Sequence, residues 1–219
     1  MRFFDALWFV TVWAISANVV NAQPASKGNA PTKVGGVLVT DILQQLGAKL
    51  EQGTTSQLLD EYSHHFDRTD INGDGKHTRT EYVDKGWYLT PQARAGIFRA
   101  ADGNSDGVVT KAEYVLNRII TDEAKSIVQG MDDDKDGLVQ RIEFIKHTAE
   151  LLPNAEAADR VYDAFDANVD GRITIPEYLR VWGQWARVGR KSAEERIAMR
   201  RAQLADPSSE SAERPPRAQ

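Results

Sequence analysis

The sequence contains no cysteine. Disulfides, thiolate zinc sites, iron–sulfur clusters and cysteine nucleophiles are thereby excluded, as is a lipid anchor that needs a cysteine at its cleavage point. No Asn-x-Ser/Thr acceptor for N-glycans occurs either. There is no surplus of positive charge: the formal net charge is -5 and the pI is about 5.4, which argues against binding nucleic acid through bulk charge. Past residue 22 no apolar run approaches the roughly 20 residues of a membrane span. Methionine is scarce, with only Met131 and Met199 beyond the first residue. What is present is a chain of 219 residues, 41% hydrophobic and 27% charged, the make-up of one soluble globular domain or two small ones.

Residues 1–22 (MRFFDALWFVTVWAISANVVNA) have a weakly positive start at Arg2, an apolar core from Ala6 to Ala17 and a small-x-small end at Val20-Asn21-Ala22. This is the pattern of a cleavable signal peptide, so the mature chain is expected outside the cytoplasm, secreted or periplasmic. Residues 23–36 are small and rich in Pro and Gly and read as a flexible linker. Within 37–55, Ile42, Leu43, Leu46 and Leu50 recur at helical spacing, predicting a short amphipathic helix. Another helix opens near Ser56 with Leu58, Leu59, Tyr62 and Phe66 on one face.

From there the chain repeats itself. Four segments share one grammar: Asp70–Glu81 (DINGDGKHTRTE), Asp102–Glu113 (DGNSDGVVTKAE), Asp132–Glu143 (DDDKDGLVQRIE) and Asp166–Glu177 (DANVDGRITIPE). An aromatic follows each closing Glu, and Phe66, Phe98, Val128 and Tyr162 stand four before each opening Asp. Thr90-Pro91 reads as a helix start, Thr121 as the cap of a helix running to Gln129, and Ser192-Ala-Glu-Glu195 as a capping box. The last 14 residues, 206–219, have almost nothing to bury and read as a disordered tail.

All four segments match D-x-[DN]-x-[DN]-G-x5-E, and on that pattern the chain resembles the EF-hand family over about residues 56–190. A hard cation such as Ca2+ takes six to eight oxygens, which positions 1, 3, 5, 7, 9 and 12 of such a loop deliver, with Gly at 6 for the bend. The resemblance implies four ligand sets. The first is Asp70, Asn72, Asp74, Lys76 through its carbonyl, Thr78 and Glu81. The second is Asp102, Asn104, Asp106, Val108 through its carbonyl, Thr110 and Glu113. The third is Asp132, Asp134, Asp136, Leu138 through its carbonyl, Gln140 and Glu143. The fourth is Asp166, Asn168, Asp170, Arg172 through its carbonyl, Thr174 and Glu177. Position 8, which pairs partner loops, is His77, Val109, Val139 and Ile173. A polar ring is expected to pack poorly at His77 and, with an ordinary pKa near 6.5, to gain charge beside the ion as pH falls. The third loop is the most acidic, helped by Asp133 and Asp134, and the first the least, because of Lys76 and Arg79.

The remaining polar residues take ordinary readings. His64, His65 and His147 are expected on solvated helix faces, and Trp87, Trp182 and Trp185 in the core. Arg187, Arg190, Lys191, Arg196, Arg200 and Arg201 form a basic C-terminal run, diluted by Glu194 and Glu195, that reads as a solvated face rather than a contact for anionic lipid.

The resemblance implies an all-α fold of two EF-hand pairs, at 56–120 and 121–190, with short β links between paired loops. An extra helix is expected on either side, the C-terminal one at 191–205, and the two pairs should abut. The expected function is an exported protein binding up to four Ca2+ as buffer, calcium-stabilised scaffold or adaptor. The alternative is a sensor that exposes a groove for a target, but such grooves are rich in methionine. The partners are calcium ions and, for an adaptor or sensor, a protein the sequence does not identify. No nucleophile–base pair stands outside the loops, so an enzyme is not expected.

Overall fold

A computed structural model describes residues 30–87 and 89–206. The signal segment 1–22, most of the expected linker and residues 207–219 lie outside them.

Residues 33–36, expected as linker, instead belong to a hairpin. β1 (Lys33–Val34) pairs antiparallel with β2 (Val37–Leu38). The turn is Gly35-Gly36, with φ of +56° and +82°, the double left-handed geometry of a type I′ turn. Gly35 is further required by contact: a Cβ there would sit 3.3 Å from the Ala157 Cα. α1 (Val39–Gln45) follows directly, burying Val39, Ile42 and Leu43, and a 3-10 turn at Leu50–Gly53 ends the N-terminal segment.

Each repeat is then a helix, a loop and a helix. α2 (Ser56–Asp67) leads into the first loop, which leaves through a short wide turn at Thr80–Asp84. α3 (Pro91–Ala101) and α4 (Lys111–Gln129) flank the second loop, α4 and α5 (Arg141–Thr148) the third, α6 (Ala155–Phe165) and α7 (Ile175–Trp185) the fourth. Thr90 and Asn154 cap α3 and α6 by accepting from the N–H three residues on.

The loops pair through short antiparallel ladders. β3 (Lys76–Thr78) lies on β4 (Val108–Thr110), setting His77 opposite Val109. β5 (Val139–Gln140) lies on β6 (Arg172–Ile173), setting Val139 opposite Ile173. The position-8 residues therefore meet as expected. His77 is packed among rings, however, although its buried Nδ1 has no hydrogen-bond partner among the described residues. It is fully buried, stacked on Phe66 with ring centroids 4.0 Å apart. Its Nε2 lies 3.0 Å from Thr69 Oγ1 and 3.3 Å from the Phe66 carbonyl oxygen. Burial pulls its pKa below the ordinary value, so the ring is held neutral rather than poised to charge.

The division at 120/121 falls inside α4, a single helix of 19 residues. Thr121 caps nothing: its hydroxyl donates back to the carbonyls of Asn117 and Arg118. One main core surrounds α4, joining Leu59 and Tyr62 of α2 to Val161 and Phe165 of α6 and to Trp182 and Trp185 of α7. A small satellite of Tyr82, Val83, Phe98, Ala101 and Val109 fills the first pair. Trp182 and Trp185 are core as expected, but Trp87 is 81% exposed.

α8 (Ala193–Ala205) corrects the reading of the basic run. Arg196 is buried and forks onto Glu51, Nε to Oε1 at 2.9 Å and Nη2 to Oε2 at 2.5 Å, while Nη1 donates to the Ala186 carbonyl. Burial raises the Glu51 pKa, but the hydrogen bonds and charge of Arg196 outweigh it and hold the carboxyl below its ordinary value. Arg200 donates twice to the Thr54 carbonyl, and Arg201 reaches Asp60 and Ser63. Arg187 donates to Gly183 and Asn117, and burial, helped by the charge of Arg196, brings its pKa down to about 10. Arg196 and Arg200 fasten α8 to the N-terminal segment, the exposed Arg201 ties it to α2, and Arg187 ties the end of α7 to α4. Among the described residues no helix is long and apolar enough to cross a membrane.

Candidate metal centres

Each loop is spliced between two helix ends. Its opening Asp continues the incoming helix: the N–H of Asp70, Asp102 and Asp166 still donates to the carbonyl four residues back. Its last four residues are the cap of the outgoing helix. Positions 9 and 12 form reciprocal capping boxes in Thr110/Glu113, Gln140/Glu143 and Thr174/Glu177. Thr78 and Glu81 exchange the same bonds in the first loop. The spacing that suits a cation thus also satisfies a helix start.

Between these ends, N–H groups fix the carboxylates from behind. In the second, third and fourth loops the opening Asp (102, 132, 166) accepts from the N–H of positions 5 and 6 at 2.9–3.2 Å. Position 3 (Asn104, Asp134, Asn168) accepts from position 5, and position 5 (Asp106, Asp136, Asp170) from position 7. The first loop differs in one bond: Asp70 Oδ1 accepts from Gly73 rather than Asp74. Gly75, Gly107, Gly137 and Gly171 make the bend at φ between +77° and +88°.

The closing Glu divides the loops into two kinds. Glu113 Oε1 accepts from Gly103 and Asn104, and Glu143 Oε1 from Asp133 and Asp134, so both reach back across their loops. Glu81 and Glu177 are held through Oε2 alone, by Thr78 and Thr174.

Sequence reasoning missed position 4. Gly73, Ser105, Lys135 and Val169 all adopt left-handed φ, from +58° to +72°. Only the glycine carried a signal for it.

The donor set fits a hard divalent cation. Every predicted side-chain ligand is an oxygen donor, and Glu81, Glu113, Glu143 and Asp166 are buried. Among the described residues no salt bridge reaches any carboxylate at positions 1, 3, 5 or 12, the bridges lying instead at Asp60, Asp67, Asp122, Asp133, Asp159, Asp163 and Glu51. Buried carboxylates are ordinarily paired or bound to metal. In the third loop one oxygen each of Asp132, Asp134 and Asp136 lies within 4.8 Å of the others. The backbone bond from Asp136 lowers the Asp134 pKa, but desolvation and the charges of Asp136, Glu143 and Asp132 outweigh it and hold that carboxyl above its ordinary value. Asp133 points elsewhere, to Lys146 at 2.6 Å and His147 at 2.9 Å. It adds less to the third loop than its charge suggests, and His147 is a hydrogen-bond partner of Asp133 rather than a merely solvated residue.

The EF-hand family model matches residues 94–115 and 163–182, which contain the second and fourth loops. These two segments are EF-hands by that match, and the chain is similar to EF-hand proteins. Its EF-hands make it a calcium-binding chain. Polcalcin Cup a 4 of Hesperocyparis arizonica is 26% identical over 125 residues, covering 53% of this chain and 70% of its own. Among solved structures, caltubin from the great pond snail is 24% identical at a TM-score of 0.26, over 57% of this chain and 96% of its own. A redox protein from Chlamydomonas reinhardtii is 18% identical at a TM-score of 0.33, over 60% and 53%.

Proposed function

We propose that this EF-hand chain is an exported, non-enzymatic protein that binds four calcium ions and serves as a calcium-stabilised scaffold or buffer. The observation that carries the reading is the fourfold recurrence of one oxygen arrangement whose carboxylates, among the described residues, enter no salt bridge. In the first site Asp70, Asn72, Asp74, the Lys76 carbonyl, Thr78 and Glu81 hold the ion. The second uses Asp102, Asn104, Asp106, the Val108 carbonyl, Thr110 and Glu113, the third Asp132, Asp134, Asp136, the Leu138 carbonyl, Gln140 and Glu143. The fourth uses Asp166, Asn168, Asp170, the Arg172 carbonyl, Thr174 and Glu177. Calcium supplies two positive charges per loop where the side-chain ligands are carboxylates and neutral oxygens only.

Scaffold or buffer is favoured over sensor by what covers the helices. The apolar faces of α4 and α7 are already buried against α1, α2 and α8. Of the two methionines beyond residue 1, Met131 is buried in the core, and Met199, half exposed on α8, borders a cleft otherwise lined by Glu51, Gln52, Gly189, Arg190, Lys191 and Arg196 rather than an apolar groove. Calorimetric titration with Ca2+ and Mg2+ tests the reading. Four calcium equivalents are expected, and no calcium heat would overturn it. Export is tested separately: protein recovered outside the cell should begin at Gln23, and an uncleaved, membrane-retained chain would refute it.

A further inference from the structure

The start of α8 reaches the second loop. Glu194 Oε1 accepts the Thr110 hydroxyl at 2.8 Å, across 84 residues of sequence. Thr110 is position 9 of that loop, and the same hydroxyl lies 3.2 Å from Glu113 Oε2. A hydroxyl has one proton and serves one carboxylate at a time. The shorter bond goes to Glu194, while Glu113 Oε2 keeps the backbone N–H of Thr110 at 2.9 Å. Glu194 therefore takes over the hydroxyl and leaves Glu113 an acceptor lone pair. It also lies close enough to Asp106 for the two charges to act on each other.

Glu194 is exposed but placed by its helix. It sits in the first turn of α8, where Ser192 caps the helix and Arg196, two residues on, forks onto Glu51. Between this turn and the loop is a cleft of about 220 Å3 lined by Glu113, Arg187, Arg190, Lys191, Glu194 and Arg196. Arg196 is already paired with Glu51, but Arg187, Arg190 and Lys191 oppose a metal ion there, and Glu194 brings a negative charge to the cleft from outside the loop.

We propose that Glu194 belongs to the second calcium site, as the acceptor of the position-9 hydroxyl and the fourth carboxylate beside Asp102, Asp106 and Glu113. The proposal rests on the calcium-binding reading above. Because coupling is reciprocal, calcium in the second loop and docking of α8 strengthen each other.

Calcium titrations of the full chain, Glu194→Gln, Glu195→Gln, Glu113→Gln and the Glu113→Gln/Glu194→Gln pair test it. Glu194→Gln should weaken one site by about threefold to tenfold, the scale of one charge a few ångströms from an ion in a largely aqueous setting. Glu195→Gln, the same change one residue away, should leave the isotherm alone. With Glu113 already replaced, Glu194→Gln should have no further effect. An unchanged isotherm for Glu194→Gln, an equal loss in Glu195→Gln, or a continued loss without Glu113 would overturn the assignment. If the parent binds calcium but Glu113→Gln removes no site, the second loop is not a calcium site and both readings fall there. If the parent binds none, the four-site reading itself is wrong.

Discussion

Val169 stands at position 4 of the fourth loop with φ +58°, where a β-branched residue is rare. The side chain is 85% exposed, so its removal costs almost no packing. Left-handed backbone costs an L-residue about 1–2 kcal/mol. Glycine is free of that cost but gives back about 0.5–1 kcal/mol through the greater freedom of its unfolded chain. Val169→Gly should therefore stabilise by about 0.5–1 kcal/mol, which raises the melting temperature of a chain this size by about 1–4 °C. Val169→Asn should do at least as well, because asparagine tolerates the conformation and loses less entropy. Val169→Ala is the control. It keeps a Cβ, and with it the strain, so it should gain little. Thermal melts in excess calcium read all three variants. A lower melting temperature for Val169→Gly, or an alanine variant that gains as much as glycine, would refute the reasoning.

Replacing Glu81, Glu113, Glu143 or Glu177 singly by Gln should remove about one calcium equivalent in titration while the chain stays folded, since each Glu closes one loop. Chelator should lower the melting temperature and calcium restore it, because ions bound only by the folded chain add to its stability; coincident melts would show that the loops stay empty. Arg196→Met strands a buried Glu51 and should cost about 3–5 kcal/mol in urea unfolding, whereas replacing both partners by apolar residues should cost much less. Because the Glu51 pKa is held below its ordinary 4.5 in the folded chain, its stabilisation is complete above that pH and fades as pH falls through the lowered value; the Arg196→Met variant should lack that part of the acid sensitivity.

The loops were legible because metal geometry and helix capping impose the same spacing on positions 1 to 12, leaving the chain little freedom to disguise it. The register was legible for the same reason, and His77 meets Val109 where position 8 requires. His77 itself was misjudged. Its comfort depends on Phe66, Tyr82 and Tyr114, whose rings gather only in the folded protein. The buried arginines left no local mark, since Arg196 is satisfied by Glu51 and Arg200 by Thr54, each about 145 residues away. Thr121 looked like a cap because a helical threonine that bonds to its own preceding turn carries the same letter. The hairpin at 33–38 did leave a signal, two glycines between valines, which the surrounding small residues concealed.

The shared helix α4 makes the molecule a lever with one of the four repeated loops at either end. Nineteen residues at about 1.5 Å each give a rod of about 28 Å. It contains neither glycine nor proline, so nothing in its sequence invites a kink. Thr110 and Glu113 begin it, and Asp132 lies just past its end. A tilt imposed where Glu113 closes the second loop would be carried along this rod toward the opening Asp of the third. On the proposed four-site reading, filling one of these loops should bias the other through α4, adding to the coupling that the ladders give within each pair.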